Sequence, residues 1–232
     1  MAGGGHPWPD ASSPVNWVLG IEITKNQQDI VMAYSEFTIK KAKDEFGLKI
    51  AENKDIFEEV ESVEVSDDLR IKLEENVPLA LAINTEKARS EFIIAFVLLE
   101  LRNNFKGKIS LFSGIDFEVD KEKHLNGFCD FIISLSSEQL FLTTPIVTVV
   151  EAKNENIIGG IGQCLAEMVA SKIFNENENN HLDNIYGVVT TGSAWKFLKL
   201  SRHTVFIDKK EYHIEHIGKI MGILSAMINQ IA

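Results

Sequence analysis

The chain reads Ile146-Val147-Thr148-Val149-Val150-Glu151-Ala152-Lys153, an apolar run typical of a buried β-strand that ends in two charged residues. Side chains alternate along a strand, so Glu151 and Lys153 share one face. The earlier apolar run Gly127–Ile133 carries Asp130 in its middle. Because burying an unpaired carboxylate costs several kcal/mol, these charges indicate a metal, a partner or a cleft.

Length and composition are those of a soluble globular protein with one sizeable core. The chain has 232 residues, of which 45% are hydrophobic and 25% charged. Cys129 and Cys164 lie inside apolar patterns without ligand-like spacing, which indicates reduced cysteines. No run approaches the roughly 18 apolar residues of a membrane span, and residues 1–20 lack the pattern of a secretory signal. We therefore expect a cytoplasmic protein with no membrane partner.

Several function classes are disfavoured by the sequence. The net charge of −11 argues against a protein that coats nucleic acid by bulk electrostatics, although it leaves local binding open. The six histidines show no His-x-x-x-His or His/Cys spacing, and no serine nucleophile elbow is present. Zinc and acyl-transfer chemistry are therefore poor interpretations. The glycine-rich stretch 159–162 lacks the Lys-Ser/Thr ending of a phosphate-binding loop and is predicted to be a strand-to-helix bend.

Three segments follow from the pattern along the chain. Residues 1–34 are predicted to be a flexible leader, since their start is rich in Gly, Pro and Ser. Residues 35–84 are predicted to be an acidic, helical N-terminal extension, with short helices at Ser35–Phe46 and Asp67–Glu75. Residues 85–232 are predicted to be the α/β domain that carries the chemistry.

The elements of this domain alternate between helical and strand periodicity. In chain order they are a helix at Glu86–Asn104, strands at Ile109–Val119, around Asp130 and up to Lys153, a helix to about Phe174, strands at Ile185–Thr190 and Trp195–Leu200 flanking a turn at Thr191–Ser193, and a helix at His213–Ile231. The order predicts a mixed β-sheet flanked by helices, with an α-β-β-β-α-β core. The last helix either covers one face of the sheet or makes a homodimer contact.

The three charges suit one reaction in particular. Phosphodiester hydrolysis needs a deprotonated water, a neutralised phosphate and a stabilised leaving oxygen, and a divalent metal supplies all three. Mg²⁺ prefers oxygen ligands, which Asp130, Glu151 and the backbone carbonyl of Ala152 offer if their strands are adjacent. Lys153 would hold the attacking water or hydroxide and neutralise the phosphate.

The order Gly127-Phe-Cys-Asp130, then Glu151-Ala-Lys153, then Gln163 resembles the PD-(D/E)XK nuclease superfamily. The resemblance covers about residues 85–200 and implies a restriction-endonuclease-like fold. It also implies that Asp130 and Glu151 bind Mg²⁺ or Mn²⁺, that Lys153 is catalytic, and that Gln163 is the helix glutamine of many members. An acid on the preceding helix often completes such sites, and Glu91 occupies that place here.

The stretch Tyr186–Trp195 looks most like the N-terminal nuclease domain of type I restriction enzyme motor subunits. The whole chain is similar to small cyanobacterial proteins of similar length. Two positions depart from the superfamily pattern. Cys129 replaces a common proline, and Glu167 stands where several relatives place a tyrosine.

Simpler interpretations remain open for individual residues. Glu151 and Lys153 alone would be an ordinary pair at a strand end. Glu91 near a helix start would favour the helix dipole, and a helix glutamine such as Gln163 is usually solvent-facing. The stretch 192–213 has five basic residues against two acids, and it either meets a nucleic-acid backbone or is a solvated strand face with core aromatics.

The resulting hypothesis is a metal-dependent nuclease whose catalytic residues are Asp130, Glu151, Lys153 and Gln163. Its partner would be nucleic acid, and the resemblance favours DNA over RNA. The alternative is a catalytically inactive protein of the same fold that acts as a binding or scaffold module. Missing motor domains and an acidic surface make this alternative reasonable.

Overall fold

The computed structural model describes residues 33–229. The helices are α1 (Ile39–Glu45), α2 (Asp67–Ile83), α3 (Glu86–Arg89), α4 (Ala95–Asn104), α5 (Ile157–Asn177) and α6 (Ile217–Asn229). The strands are β1 (Lys49–Lys54), β2 (Ser110–Asp116), β3 (Phe128–Ser134), β4 (Ile146–Ala152), β5 (Asn184–Thr190), β6 (Ala194–Ser201), β7 (Thr204–Asp208) and β8 (Tyr212–His213).

All eight strands form one mixed sheet in the order β1-β7-β6-β5-β4-β3-β2, with β8 paired to β6. The pairs β1–β7 and β4–β5 are parallel, and the others are antiparallel. Helices α1 and α5 cover one face of the sheet, and α2 to α4 with α6 cover the other. The predicted fold class, a mixed sheet flanked by helices with an α-β-β-β-α-β core, is confirmed.

The predicted strand that ends in Glu151 and Lys153 lies in the middle of this sheet. Every residue of β4 is buried, because α5 packs on one of its faces and α6 on the other. Val149 belongs to the α5 side of the core, while Val150 and Ala152 belong to the opposite side. A strand buried on both faces explains why its sequence is continuously apolar.

The predicted helix at Glu86–Asn104 is also present, but it has three parts. Thr85 caps its start by accepting a hydrogen bond from the Ala88 amide at 3.1 Å. Between α3 and α4 the five residues Ser90–Ile94 form a π-helical turn. Such a turn inserts one extra residue into an α-helix and changes the direction of the side chains around it.

The predicted extension at 35–84 is an integral part of this fold. Strand β1, which the sequence did not predict, pairs with β7, another strand that was missed. Most of β1 is exposed at the sheet edge, so its polar sequence lacks the alternation of a half-buried strand. Helix α2 runs eight residues beyond the predicted end at Glu75 and stops at Asn84, which has a left-handed backbone.

The predicted flexible leader falls almost wholly outside the described residues. Its last residue, Tyr34, is buried, and its hydroxyl donates a hydrogen bond to the Phe117 carbonyl at 2.8 Å. The Tyr34 ring also stacks with that of Phe117. The last residue of the predicted leader is therefore packed into the fold.

The glycines predicted as a bend before α5 lie inside this helix. Helix α5 begins at Ile157, after Asn156 accepts a hydrogen bond from the Gly159 amide at 2.9 Å. A Cβ atom on Gly162 would lie 2.2 Å from the Phe37 carbonyl oxygen. A glycine is required there because the backbones approach closely, and the helix is packed tightly against the segment before α1.

Helix α5 is also the one helix among residues 33–229 that is long and apolar enough to cross a membrane. The sequence prediction that no run approaches the length of a membrane span is therefore wrong for Ile157–Asn177. The helix packs on β4 and β5, and 61% of its most apolar window is buried inside the fold. A central core helix passes the same test of length and composition.

The last helix begins later than predicted, because Ile214–His216 form a 3₁₀ turn before α6. Eight residues of α6, including Ile220, Leu224 and Ile228, are buried in the core on the side of α4. Of the two predicted roles for this helix, the structure shows that it covers one face of the sheet.

Candidate active site

The two predicted carboxylates, Asp130 and Glu151, lie close together at one end of the central strands. Strands β3 and β4 are antiparallel neighbours in which Phe131 pairs with Val150, so the start of β3 lies beside the end of β4. The Ala152 amide donates a hydrogen bond to Asp130 Oδ2 at 2.7 Å. Asp130 is therefore attached to the strand that carries Glu151. The condition for a shared site, adjacent strands, is met.

Glu151 and Lys153 form an ion pair through Glu151 Oε1 and Lys153 Nζ. They lie two residues apart and share one face of the strand end, as the alternation predicts. The Glu151 side chain is only 1% exposed, whereas that of Lys153 is 22% exposed. The carboxylate thus faces the interior and the ammonium reaches toward solvent.

Gln163 joins this pair from the second turn of α5. Its Nε2 donates to Glu151 Oε2 at 2.8 Å, and its Oε1 accepts from Lys153 Nζ at 3.3 Å. The side chain is half-buried and points into the site, so the solvent-facing interpretation is wrong for Gln163. The structure therefore brings Asp130, Glu151, Lys153 and Gln163 together.

Glu167, which the sequence marked as a departure from the superfamily pattern on the helix face of Gln163 but not as a site residue, is a further member of the site. It lies one helical turn beyond Gln163 on α5, is fully buried, and accepts a hydrogen bond from Gln163 Nε2 at 3.0 Å. Its second oxygen, Oε2, has no hydrogen-bond partner among the described residues. The spacing of four residues from Gln163 was the available signal, since such pairs share a helix face.

Glu91 lies at the mouth of the site rather than in its interior. It pairs with Lys87 at 2.6 Å, and its side chain is 52% exposed. With Asp130 it lines a cleft of about 270 Å³ between the π turn and β2, together with Glu86, Lys87, Ser90, Ser113 and Gly114. Glu91 therefore faces the same space as Asp130, but its carboxylate is bound to a lysine of its own helix.

The site holds more acid than base, and this changes its protonation. Burial first, then repulsion from Asp130, raises the pKa of Glu151 to about 8, although Lys153 acts in the opposite direction. Burial also raises the pKa of Asp130, and burial with the nearby Glu151 raises that of Glu167 well above its usual range. Burial lowers the pKa of Lys153, but Glu151 and then Glu86 raise it, and the net shift is upward.

Arg89 braces the site from the helix side. Its Nη1 donates to the Thr191 carbonyl at 2.9 Å, its Nε to Asn154 Oδ1 at 3.2 Å, and its Nη2 to Asn84 Oδ1 at 2.9 Å. The side chain is buried, and these acceptors are neutral oxygens. It therefore ties α3 to the residue after Lys153 and to the turn between β5 and β6. No sequence signal distinguished this arginine.

The donor set is suited to a hard divalent cation. Residues 33–229 contain no ready-made group of three His, Cys, Asp or Glu side chains that would hold a metal. Mg²⁺ needs fewer, because it keeps several waters and binds through one or two carboxylates. Asp130 and Glu151 supply such a pair, and the excess acid with an unpartnered Glu167 oxygen fits an added positive charge. Ala152 contributes its amide to Asp130, and metal ligation by its carbonyl stays a prediction.

The aromatic residues of the basic stretch 192–213 belong to the hydrophobic core. Trp195 and Phe197 are fully buried, and the Trp195 indole donates to the Gly192 carbonyl at 2.9 Å. Lys196 is only 9% exposed and donates to the Lys209 carbonyl at 3.4 Å. The predicted turn at Thr191–Ser193 is confirmed, with Gly192 in a left-handed conformation.

Comparison with known proteins adds little to this geometry. No protein-family model matches the chain. The chain is similar to Crinkler effector protein 1 of Rhizophagus irregularis, with 28% identity over 144 residues. The match covers 58% of this chain and 27% of that protein, so the chain spans about a quarter of its relative.

Proposed function

We propose that this protein is a metal-dependent nuclease of the PD-(D/E)XK type, which hydrolyses phosphodiester bonds in nucleic acid and foremost in DNA. One observation carries the proposal. Asp130, Glu151, Lys153 and Gln163, which are separated in the sequence, converge where the start of β3 meets the end of β4, and Asp130 lines an adjacent cleft. An acid pair, a lysine and a glutamine in that order are the residues on which the superfamily resemblance rests.

Asp130 and Glu151 would hold the cation, Mg²⁺ or Mn²⁺, and Glu91 faces the same cleft as a candidate outer ligand. When bound, the metal would supply an acidified water and neutralise charge on the phosphate. Burial and then Asp130 raise the pKa of Glu151, and a bound cation would act in the opposite direction by favouring the carboxylate.

Lys153 is the residue placed to act on the substrate. Its ammonium is the more exposed partner of the ion pair, so it can donate to a phosphate oxygen or to the attacking water without leaving Glu151. Gln163 accepts from the same ammonium and so limits its directions. Glu151 on its other side holds the lysine in the protonated state.

A second candidate function is a nucleic-acid-binding or scaffold module with the same fold and no catalysis. One observation favours it. Both oxygens of Glu151 already have internal partners, Lys153 on Oε1 and Gln163 on Oε2. A carboxylate satisfied in this way holds the sheet edge together without a metal.

The decisive test incubates the purified protein with supercoiled plasmid and either Mg²⁺ or Mn²⁺, and compares wild type with Lys153→Ala. Lys172→Ala is the matched control, because the Lys172 side chain is 25% exposed and its ammonium binds the Arg202 carbonyl away from the site. We expect wild type and the control to nick the plasmid and Lys153→Ala to lose at least about a hundredfold in rate. Equal rates in all three proteins, or none, would favour the binding module.

A further inference from the structure

We propose that Glu167 is a positioning residue of the candidate active site. It sets the orientation of the Gln163 amide and thereby keeps Glu151 and Lys153 in their mutual arrangement. The geometric part of this inference concerns the folded protein alone, and its catalytic consequence rests on the proposed nuclease function.

The side-chain amide of Gln163 has one donor end, its nitrogen, and one acceptor end, its oxygen. In the structure its nitrogen faces two carboxyl groups, Glu151 Oε2 at 2.8 Å and Glu167 Oε1 at 3.0 Å, and its oxygen faces Lys153 Nζ at 3.3 Å. Rotating the amide by 180° would place its nitrogen against an ammonium, and its oxygen against two carboxyl groups that could meet it only through an O–H. Glu167 therefore favours the one orientation in which Gln163 serves both members of the ion pair.

The burial of Glu167 shows that this contact is not incidental. A fully buried carboxyl group is costly, and a similarly sized apolar side chain would fill the same space without that cost. One of its oxygens, Oε2, has no hydrogen-bond partner among the described residues, and the polar groups near the carboxyl are those of the site itself, Gln163 and Glu151. Its other oxygen is directed at Gln163. The position between α5 and the sheet thus retains a carboxyl where packing alone would favour a hydrophobic residue.

Glu167 reaches the ion pair by two routes: its carboxyl group interacts directly with that of Glu151, and it also contacts Gln163. The inference concerns the second route, which leads to Lys153. The hydrogen bond that the structure gives its side chain is to Gln163, and its backbone carbonyl separately accepts from the Ser171 hydroxyl at 2.8 Å. Replacing the carboxyl leaves that backbone contact in place. Glu167 is therefore expected to act through Gln163, and a change at either residue should have the same consequence for Lys153.

The first test follows the side-chain amide of Gln163 by NMR in metal-free protein, with Gln163→Ala used to assign its signals. In wild type both amide protons are hydrogen-bonded, so we expect slow exchange with solvent. Glu167→Met, similar in length but apolar, should speed that exchange at least about tenfold, whereas Glu167→Gln, which keeps an acceptor, should stay within about threefold. Fast exchange in wild type, or unchanged exchange in a folded Glu167→Met, would overturn the inference.

The second test measures plasmid nicking by Glu167→Met, Gln163→Ala and the double variant. We expect kcat to fall about tenfold in Glu167→Met with KM within about twofold, and the double variant to be no slower than Gln163→Ala. Multiplying losses in the double variant would show that Glu167 does not act through Gln163. If wild type nicks no substrate, the nuclease function fails by itself, and the amide exchange still decides the role of Glu167.

Discussion

Asp130 on β3 and Ala152 on β4 are joined by a hydrogen bond of 2.7 Å from the Ala152 amide to Asp130 Oδ2. The bond orients the carboxyl toward the end of the strand that carries Glu151. It also gives the carboxyl a structural role besides any role as a metal ligand. The two roles are separable by substitution.

Asp130→Asn keeps an acceptor for the Ala152 amide but removes the charge that repels Glu151. We expect the metal-free melting temperature to rise by about 2–4 °C, the shift that about 1 kcal/mol produces in a domain of this size. Mg²⁺ should no longer stabilise the variant. Asp130→Ala, which also removes the acceptor, should instead melt below wild type, because a buried amide is left unpaired. Thermal melts of both variants, each with EDTA and with Mg²⁺, give the four melting temperatures. A strongly destabilised Asp130→Asn would identify a purely structural carboxylate.

The pH dependence of stability should report on Glu151. The pKa of Glu151 is about 8 in the folded protein against an ordinary 4.5, so between these values the folded state holds a proton that the unfolded state has released. Stability of the metal-free protein therefore decreases as pH rises through this window. Glu151→Gln cannot titrate and should flatten the slope of melting temperature against pH, measured in EDTA. A slope equal to that of wild type would place the titration elsewhere.

Metal binding should show the opposite trend with pH. A cation that binds Glu151 must displace its proton, so the apparent affinity for Mg²⁺ or Mn²⁺ should increase as pH rises toward 8. Calorimetric titrations in two buffers of different ionisation enthalpy measure both the affinity and the protons released. An affinity independent of pH, with no proton release, would exclude Glu151 as a ligand.

Gly160 should be sensitive to the smallest possible enlargement. A Cβ atom there would lie 2.8 Å from Val189 Cγ1 and 2.9 Å from Lys153 Cγ. Overpacking should cost Gly160→Ala about 1–3 kcal/mol of stability. The higher helix propensity of alanine, about 1 kcal/mol, offsets part of this loss. Because the stem of Lys153 is displaced, nicking should slow as well. Ile158→Ala, at an exposed site two residues away, should change stability by less than about 0.5 kcal/mol in denaturant unfolding.

Arg89→Lys should destabilise the protein although it keeps the positive charge. The guanidinium reaches three acceptors on three segments, and an ammonium cannot span Thr191, Asn154 and Asn84 at once. We expect a loss of about 2 kcal/mol, or about 4–8 °C in melting temperature. Arg202→Lys in the exposed β6–β7 turn is the control and should melt like wild type. Equal melting of the two variants would contradict the bracing role of Arg89.

The sequence was informative where burial on both sides made the pattern strong. The apolar runs that became β3, β4 and β5 and the helix at Glu86–Asn104 were predicted within a few residues. The edge strand β1 was missed, because a strand exposed to solvent needs no hydrophobic alternation. The end of α2 was missed because residues 77–83 are apolar without a polar face to mark a helical period, and they include Pro78.

The candidate site shows the same division. Asp130, Glu151 and Lys153 were identifiable as charges inside apolar strands, where burial makes them exceptional. Glu167 and Arg89 lie in helices, where an acid or an arginine is ordinary; Glu167 contacts Gln163 one turn away, whereas Arg89 depends on distant contacts. Arg89 contacts Thr191, a residue 102 positions away, and local sequence carries no information about such a pair.

These long separations have a consequence for how the protein reaches its working form. The bond between Arg89 and Thr191 spans the rest of the helix, four strands and α5, and the bond between Arg89 and Asn154 spans 65 positions. Both bonds join segments that are far apart in the sequence, so each requires the closure of a long loop, which is slower than forming local contacts. A chain synthesised only as far as the end of α5 carries Asp130, Glu151, Lys153 and Gln163 but lacks β5 and the Thr191 carbonyl that Arg89 contacts.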